Sequence, residues 1–296
     1  MSKTLKGIGV ALATPLKENY SVDYPALERL IDHVTNGGVD YLVVQGTTGE
    51  SPVFSWNEKL EILQFILDRN KGKLPVVFGL GGNNTFDMIE KSRDLKGIPI
   101  DAILSASPYY NKPSQEGIYR HYSLLADAFP HPIVLYNVPA RTASNMEADT
   151  TLKLAEHPNI IAMKEASGDL AQCNEIQKGR PEDFTLLSGD DALTLEMIKN
   201  GADGVISVVA NLVTSDFCEM VRSALDHDFA NAETMNTSLQ EVYDLAMEEG
   251  NPSSIKAGLE AAGICERTVK PPLFDASDDL VKRWKLYLKN QSPKMK

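Results

Sequence analysis

The chain has 296 residues, 43% of them hydrophobic and 24% charged, a composition that supports one large core with a small appendage and leaves no reason to expect disorder. Its 41 acidic against 29 basic residues give a net charge of −12, which excludes a nucleic-acid partner, because binding phosphates requires a basic face. No apolar run reaches the roughly 18 residues of a bilayer span, and Met1-Ser2-Lys3-Thr4-Leu5-Lys6 lacks a signal-peptide stretch, so a soluble, cytoplasmic protein with no membrane contact and a small-molecule partner is expected.

Short β-rich apolar runs alternate with amphipathic stretches from residue 7 to about residue 226. The predicted strands are 7–14, 41–46, 75–80, 102–107, 132–137, 160–166, 184–189 and 204–210, nearly continuous apolar runs of the kind that suits parallel strands covered on both faces. Helical patterns follow them, as in Tyr24 to Asn36 behind Asp23, or Asn57 to Asn70. Eight β-then-α units predict a (β/α)8 TIM barrel of the α/β class over residues 1–228, with functional groups at the C-terminal strand ends. The rival, an open doubly wound sheet, usually carries a glycine-rich phosphate loop after its first strand; Ala13-Thr14-Pro15-Leu16 offers none.

Residues 229–296 show no strand signal. Three helical stretches, near 229–249, 252–263 and 277–290, are punctuated by Asn251-Pro252 and Lys270-Pro271-Pro272 and predict a three-helix C-terminal domain packed on the barrel. Cys173, Cys218 and Cys265 are widely separated and odd in number, which fits reduced core thiols better than disulfides or a zinc site.

The predicted strand ends bring a limited set of polar residues to one mouth, among them Thr47-Thr48, Tyr109-Tyr110, Tyr136, Lys164 and Gly189. Lys164 ends the run Ile160-Ile161-Ala162-Met163; among such side chains desolvation favours amine over ammonium and leaves a nucleophile able to attack a ketone. A strand-end lysine that reaches solvent, or pairs with Glu165, is the plainer alternative. Tyr136 ends the preceding strand, where its hydroxyl can exchange protons with a Schiff base or simply sit satisfied in the core. Thr47-Thr48 lies between two glycines and offers amides and hydroxyls to a carboxylate, or forms an ordinary turn. Tyr109 and Tyr110 fit the core or an interface, and Arg141 fits a substrate carboxylate or a surface ion pair. His33, His121, His131, His157 and His227 are scattered without a metal-binding spacing, so a metal-dependent aldolase is disfavoured and no metal is expected.

Taken in order, Gly46-Thr47-Thr48-Gly49-Glu50-Ser51, Ser107-Pro108-Tyr109-Tyr110-Asn111, Tyr136-Asn137-Val138-Pro139-Ala140-Arg141-Thr142, Lys164-Glu165-Ala166-Ser167-Gly168-Asp169 and Gly204-Val205-Ile206-Ser207 resemble the motifs of the dihydrodipicolinate synthase family over nearly the whole chain. The resemblance implies condensation of pyruvate with aspartate semialdehyde in the diaminopimelate route to lysine, with pyruvate held as a Schiff base on Lys164 and no cofactor. It implies a proton relay of Tyr136, Thr47 and Tyr110, the last supplied by a neighbouring subunit, and a homotetramer built as a dimer of dimers. Thr48 and Ile206 would contact the pyruvate-derived part, Gly189 would line the pocket, and Arg141 would bind the semialdehyde carboxylate. Ala143 follows Arg141-Thr142 where the family commonly has glycine.

A sister enzyme, N-acetylneuraminate lyase, resembles the chain in fold and lysine chemistry but typically has Ser-Thr at Thr47-Thr48 and no arginine at Arg141; both features favour the synthase. A barrel that only senses a keto acid is the non-enzymatic alternative, disfavoured by Tyr136 and Lys164 together. The family's inhibitory lysine cleft maps to Ser51, Pro52, Trp56, Lys59, Asn83, Asp87 and Tyr109. Lys59 replaces the histidine of lysine-sensitive bacterial members and adds a repelling cation, and Asp87 shortens the usual acidic arm, so weak or absent lysine inhibition is expected; Trp56 resembles the plant-type cleft and argues the other way.

Overall fold

The computed structural model describes residues 5–291; the first four residues of the N-terminal stretch and the last five of the C-terminal domain lie outside them. Eight parallel strands, β1 (Gly7–Ala11), β2 (Tyr41–Val44), β3 (Val76–Gly79), β4 (Ala102–Ala106), β5 (Ile133–Asn137), β6 (Ile160–Glu165), β7 (Thr185–Ser188) and β8 (Gly204–Ser207), close in sequence order into a barrel. The expected (β/α)8 architecture is therefore present. Each strand is shorter than its apolar run, mostly at the C-terminal end, where the chain turns away to build loops; after β2, for example, Gln45 already has a positive φ of 58°.

Between the strands run α1 (Tyr24–Gly37), α2 (Trp56–Asn70), α3 (Thr85–Ser92), α4 (Gln115–Ala128), the short α5 (Pro139–Thr142), α6 (Ala148–Ala155), α7 (Leu170–Gly179) and α8 (Thr194–Lys199), and α9 (Thr214–Leu225) follows β8. Their starts are set by local side chains. Asp23 accepts the amide of Ala26 at 3.2 Å to cap α1, and Ser55 with Glu58 forms a reciprocal capping box on α2.

Alternation along the strands separates two cores. Ile8, Val10, Leu42, Val44, Ile133, Leu135 and Met163 face the helices, whereas Ala11, Tyr41, Val43, Val77, Leu104, Val134, Ala162, Leu187 and Ile206 fill the barrel. Tyr136 follows Val134 at the inward period, and Lys164 follows Ala162 likewise, so both point into the barrel mouth.

The C-terminal part is helical, as expected: α10 (Phe229–Ser238), α11 (Gln240–Met247), α12 (Ser253–Ala261) and α13 (Asp278–Gln291). The first of the three anticipated stretches is divided at Leu239, whose backbone (φ −92°, ψ −5°) departs from regular helix. Trp284 on α13 is fully buried and donates its indole N–H to the Ser254 carbonyl at 3.1 Å, fastening α13 to α12. Cys173, Cys218 and Cys265 are buried and unbonded to one another; burial pushes each thiol up to about 12. No helix among the described residues is long and apolar enough to cross a membrane.

Candidate active site

A cavity of about 860 Å³ opens at the C-terminal end of the barrel and reaches Lys164 and Tyr136 at its floor. The two residues are direct neighbours in the β5–β6 register, and the Lys164 Nζ stands 4.3 Å from the centre of the Tyr136 ring. Lys164 is 5% exposed and takes part in none of the ion pairs of 4.0 Å or less among the described residues.

The alternative pairing with Glu165 is excluded by the strand itself, since adjacent residues point to opposite faces. Glu165 instead lies behind the site, where it accepts hydrogen bonds from Asn137 Nδ2 at 3.1 Å, Gln172 Nε2 at 2.9 Å and the Ser167 amide at 2.6 Å. Burial raises the Glu165 carboxyl above its ordinary range, and these bonds oppose the rise. Asn137 and Glu165 are themselves register partners, so a polar pair on the outer face clamps β5 to β6 directly behind Tyr136 and Lys164 on the inner face.

Gly189 follows β7 and lines the cavity. A Cβ there would lie 3.0 Å from the Lys164 Cε and 2.6 Å from the Ala166 Cβ, so absence of a side chain makes room for the lysine. Thr47 and Thr48 line the opposite wall. Thr48 is buried, and its hydroxyl accepts the Asn251 amide at 3.1 Å. Arg141, on α5, lines the cavity too and donates to the Asn251 carbonyl at 3.3 Å. The turn that carries Thr48 is held from beneath by Glu50, which forms a fully buried ion pair with Lys256 of α12 and accepts the Lys270 amide at 2.8 Å.

Two of the expected residues do not line this cavity. Ile206 is buried inside the barrel, and Tyr110, at a positive φ of 71°, is 88% exposed. The suspected cleft residues sit to one side. Asn83 donates to the Tyr109 carbonyl at 3.2 Å, Trp56 donates to Asp94 at 2.8 Å, and Asp87 pairs with Lys91 at 2.6 Å. Ser51 and Lys59 are half-buried and Pro52 is exposed. Burial, helped by Lys91, brings Lys59 down to about 8. The histidines are dispersed, bonding for instance to Leu212, Leu95 and Thr85, and none lines the cavity.

Asp191, at the end of the seventh predicted strand, lines the cavity as well; its Oδ2 accepts the amides of Val208 and Val209 at 3.0 Å, and its carboxyl is raised by burial. The predicted strand ends do not include Tyr243 and Asp244 of α11, nor Glu248 and Asn251 of the connection to α12, all of which line the cavity. The Asn251-Pro252 break was the available signal, but nothing in it indicates that the loop folds back over the mouth.

The family model for the dihydrodipicolinate synthetase family matches residues 4–291. The chain belongs to this family. It is 46% identical over 287 residues to the 4-hydroxy-tetrahydrodipicolinate synthase of Flavobacterium psychrophilum, covering 97% of this chain and 98% of that one. Among solved structures it resembles the chloride-inhibited dihydrodipicolinate synthase of Acinetobacter baumannii complexed with pyruvate, with a TM-score of 0.94 and 33% identity over 97% of this chain and 99% of that one. A monomeric variant of dihydrodipicolinate synthase is equally similar in fold, with a TM-score of 0.94 and 32% identity over 97% of each chain. Family members thus share with this chain both the barrel and the helical C-terminal part.

Proposed function

We propose that the chain condenses pyruvate with L-aspartate 4-semialdehyde to give 4-hydroxy-tetrahydrodipicolinate, holding pyruvate as an imine on Lys164. The observation that carries this reading is the pairing of Lys164 with Tyr136 at the floor of a cavity whose walls supply Thr47, Thr48 and Arg141. Attack of the Lys164 amine on the pyruvate ketone forms a C–N bond and releases water. Tyr136 and Thr47 move protons to and from the departing oxygen. The imine withdraws electrons, so loss of a methyl proton gives an enamine, which forms the new C–C bond to the aldehyde carbon. The aldehyde oxygen takes up a proton, and the substrate's own amine then displaces Lys164 and closes the ring.

In this reading Thr48 and Ile206 border the pyruvate-derived part, Gly189 leaves room for the lysine, and Arg141 binds the semialdehyde carboxylate. No cofactor takes part. The exposure of Tyr110 supports its delivery to the cavity of a neighbouring subunit, in a cytoplasmic homotetramer built from dimers; sedimentation velocity checks the assembly, and an active monomer would refute it. The two proposed domains meet at residues 228 and 229, in the turn between α9 and α10. The region of Trp56, Lys59, Asp87 and Tyr109 is proposed as a weak or inactive lysine site.

Pyruvate and borohydride followed by intact-mass analysis is the decisive experiment. An adduct that disappears in Lys164→Ala supports the imine, and absence of an adduct on the unaltered protein overturns it. Thr47-Thr48 and Arg141 favour the synthase over N-acetylneuraminate lyase or another keto-acid aldolase, and parallel turnover of aspartate semialdehyde and sialic acid separates these readings.

A further inference from the structure

Asn251 belongs to the loop between α11 and α12, yet it contacts two walls of the cavity. Its Nδ2 donates to the Thr48 hydroxyl at 3.1 Å, and its backbone carbonyl accepts from Arg141 Nη2 at 3.3 Å. The residue is 8% exposed, and its side-chain oxygen Oδ1 is buried without a hydrogen-bond partner. An unbonded buried acceptor is costly, and in a ligand cavity it marks a place where a bound donor belongs. An amide oxygen can only accept, so Oδ1 suits a donor and not a second anion.

Position identifies the donor. In an α-amino acid the ammonium and the carboxylate share one carbon, so a guanidinium that grips the carboxylate leaves the ammonium a few ångströms away. Arg141 and Asn251 are in direct contact. Asp244, also on the cavity wall, favours a cation at the same mouth, whereas Glu248 there is already paired with Arg283.

We propose that Asn251 reads the amino group of the second substrate, its Oδ1 accepting a hydrogen bond from the α-ammonium of the aldehyde. This rests on the reading of the site as a condensing enzyme that takes an amino aldehyde. Besides orienting the aldehyde, the contact holds the nitrogen that must later displace Lys164. Asp191 Oδ1 is the other unbonded buried acceptor among the residues lining the cavity, but its carboxylate is anchored to the amides after β8 and has no bond to Arg141.

The test compares aspartate semialdehyde with 4-oxobutanoate, the same aldehyde acid lacking the amine, used as a competitor. In Asn251→Ala the KM for aspartate semialdehyde is expected to rise roughly 10- to 100-fold, the usual worth of a hydrogen bond to a charged group. The inhibition constant of 4-oxobutanoate should move by no more than about threefold. Asn251→Asp keeps an acceptor while losing the donation to Thr48, so it should retain the preference for the amine even where both ligands weaken. Equal loss of both ligands in Asn251→Ala, or loss of the preference in Asn251→Asp, overturns the assignment, as does loss of the preference in Asp191→Asn alone. Trapping of the pyruvate adduct on each variant shows that it is folded; if Asn251→Ala traps none, Asn251→Asp decides. Failure of the unaltered protein to form that adduct would instead remove the reading of the site itself.

Discussion

Tyr136 and Lys164 are paired across β5 and β6 with the lysine nitrogen 4.3 Å from the tyrosine ring centre, an arrangement that puts a phenol beside the amine we propose reacts with pyruvate. Replacing Tyr136 by Phe keeps the ring and removes only the hydroxyl that the proposed mechanism uses to move protons. Turnover should fall by roughly 10²- to 10⁴-fold, the range for loss of general acid–base assistance, while the borohydride-trapped pyruvate adduct still forms, more slowly. An unchanged kcat in Tyr136→Phe would remove this hydroxyl from the mechanism.

Arg141 is presented by α5, which ends at Ala143 with φ 56° and ψ 23°, in the left-handed region. That conformation explains why glycine suits this position and why alanine is strained here. Ala143→Gly should raise stability by about 0.5–1 kcal/mol, the relief of strain being offset in part by the greater freedom of glycine in the unfolded chain. Urea denaturation measures this, and a loss of stability would show that the alanine methyl makes contacts worth more than the strain.

Glu50 and Lys256 form an ion pair from which solvent is excluded on both sides, joining the Thr47-Thr48 turn to α12. Removing one charge leaves the other buried without its partner, so Lys256→Met should destabilise the fold by about 3–5 kcal/mol. The double change Glu50→Gln with Lys256→Met should recover much of that loss, because no isolated charge remains; equal destabilisation by the single and double variants would contradict this account.

The barrel was legible because its signal is repeated: eight apolar runs, each followed by a helix, with Lys164 and Tyr136 placed by the inward alternation of their strands. The residues that surround them were less visible. Asn251 comes from a segment far along the chain, and only the tertiary fold brings the connection between α11 and α12 against Thr48 and Arg141. Glu165 reads in sequence as a partner for Lys164, yet the pleat sends it to the opposite face, where Asn137 and Gln172 hold it. Gly189 shows its purpose only when the neighbouring lysine is in place.

Lys59 is half-buried beside Lys91, which already holds Asp87 at 2.6 Å. In the proposed lysine site a ligand ammonium would meet the Lys59 cation and find Asp87 already engaged by Lys91. Inhibition by lysine should be weak at pH 7. It should strengthen as the pH rises through about 8, where Lys59 loses its proton. Lys59→His should increase inhibition at neutral pH. Inhibition curves at pH 7 and 8.5 test both statements, and strong inhibition at pH 7 would refute the first.

His121 on α4 is buried, contacts Thr85 Oγ1 through Nδ1 at 2.8 Å and leaves Nε2 without a hydrogen bond. Burial lowers its pKa from 6.5 to about 4, because the imidazolium would have to give up its hydration. Above pH 6.5 the ring is neutral in folded and unfolded chains alike, and the fold has its full stability. Between 6.5 and 4 the unfolded chain binds a proton that the folded chain does not, so stability falls as the pH falls. At pH 5 the loss from this residue is on the order of 2 kcal/mol. His121→Phe fills the same space without a titrating group. It should be the less stable protein at pH 7, for want of the Thr85 bond, but should lose less stability than the unaltered protein between pH 6.5 and 5. Parallel slopes for the two proteins in urea denaturation across that interval would show that His121 takes up its proton in the folded state.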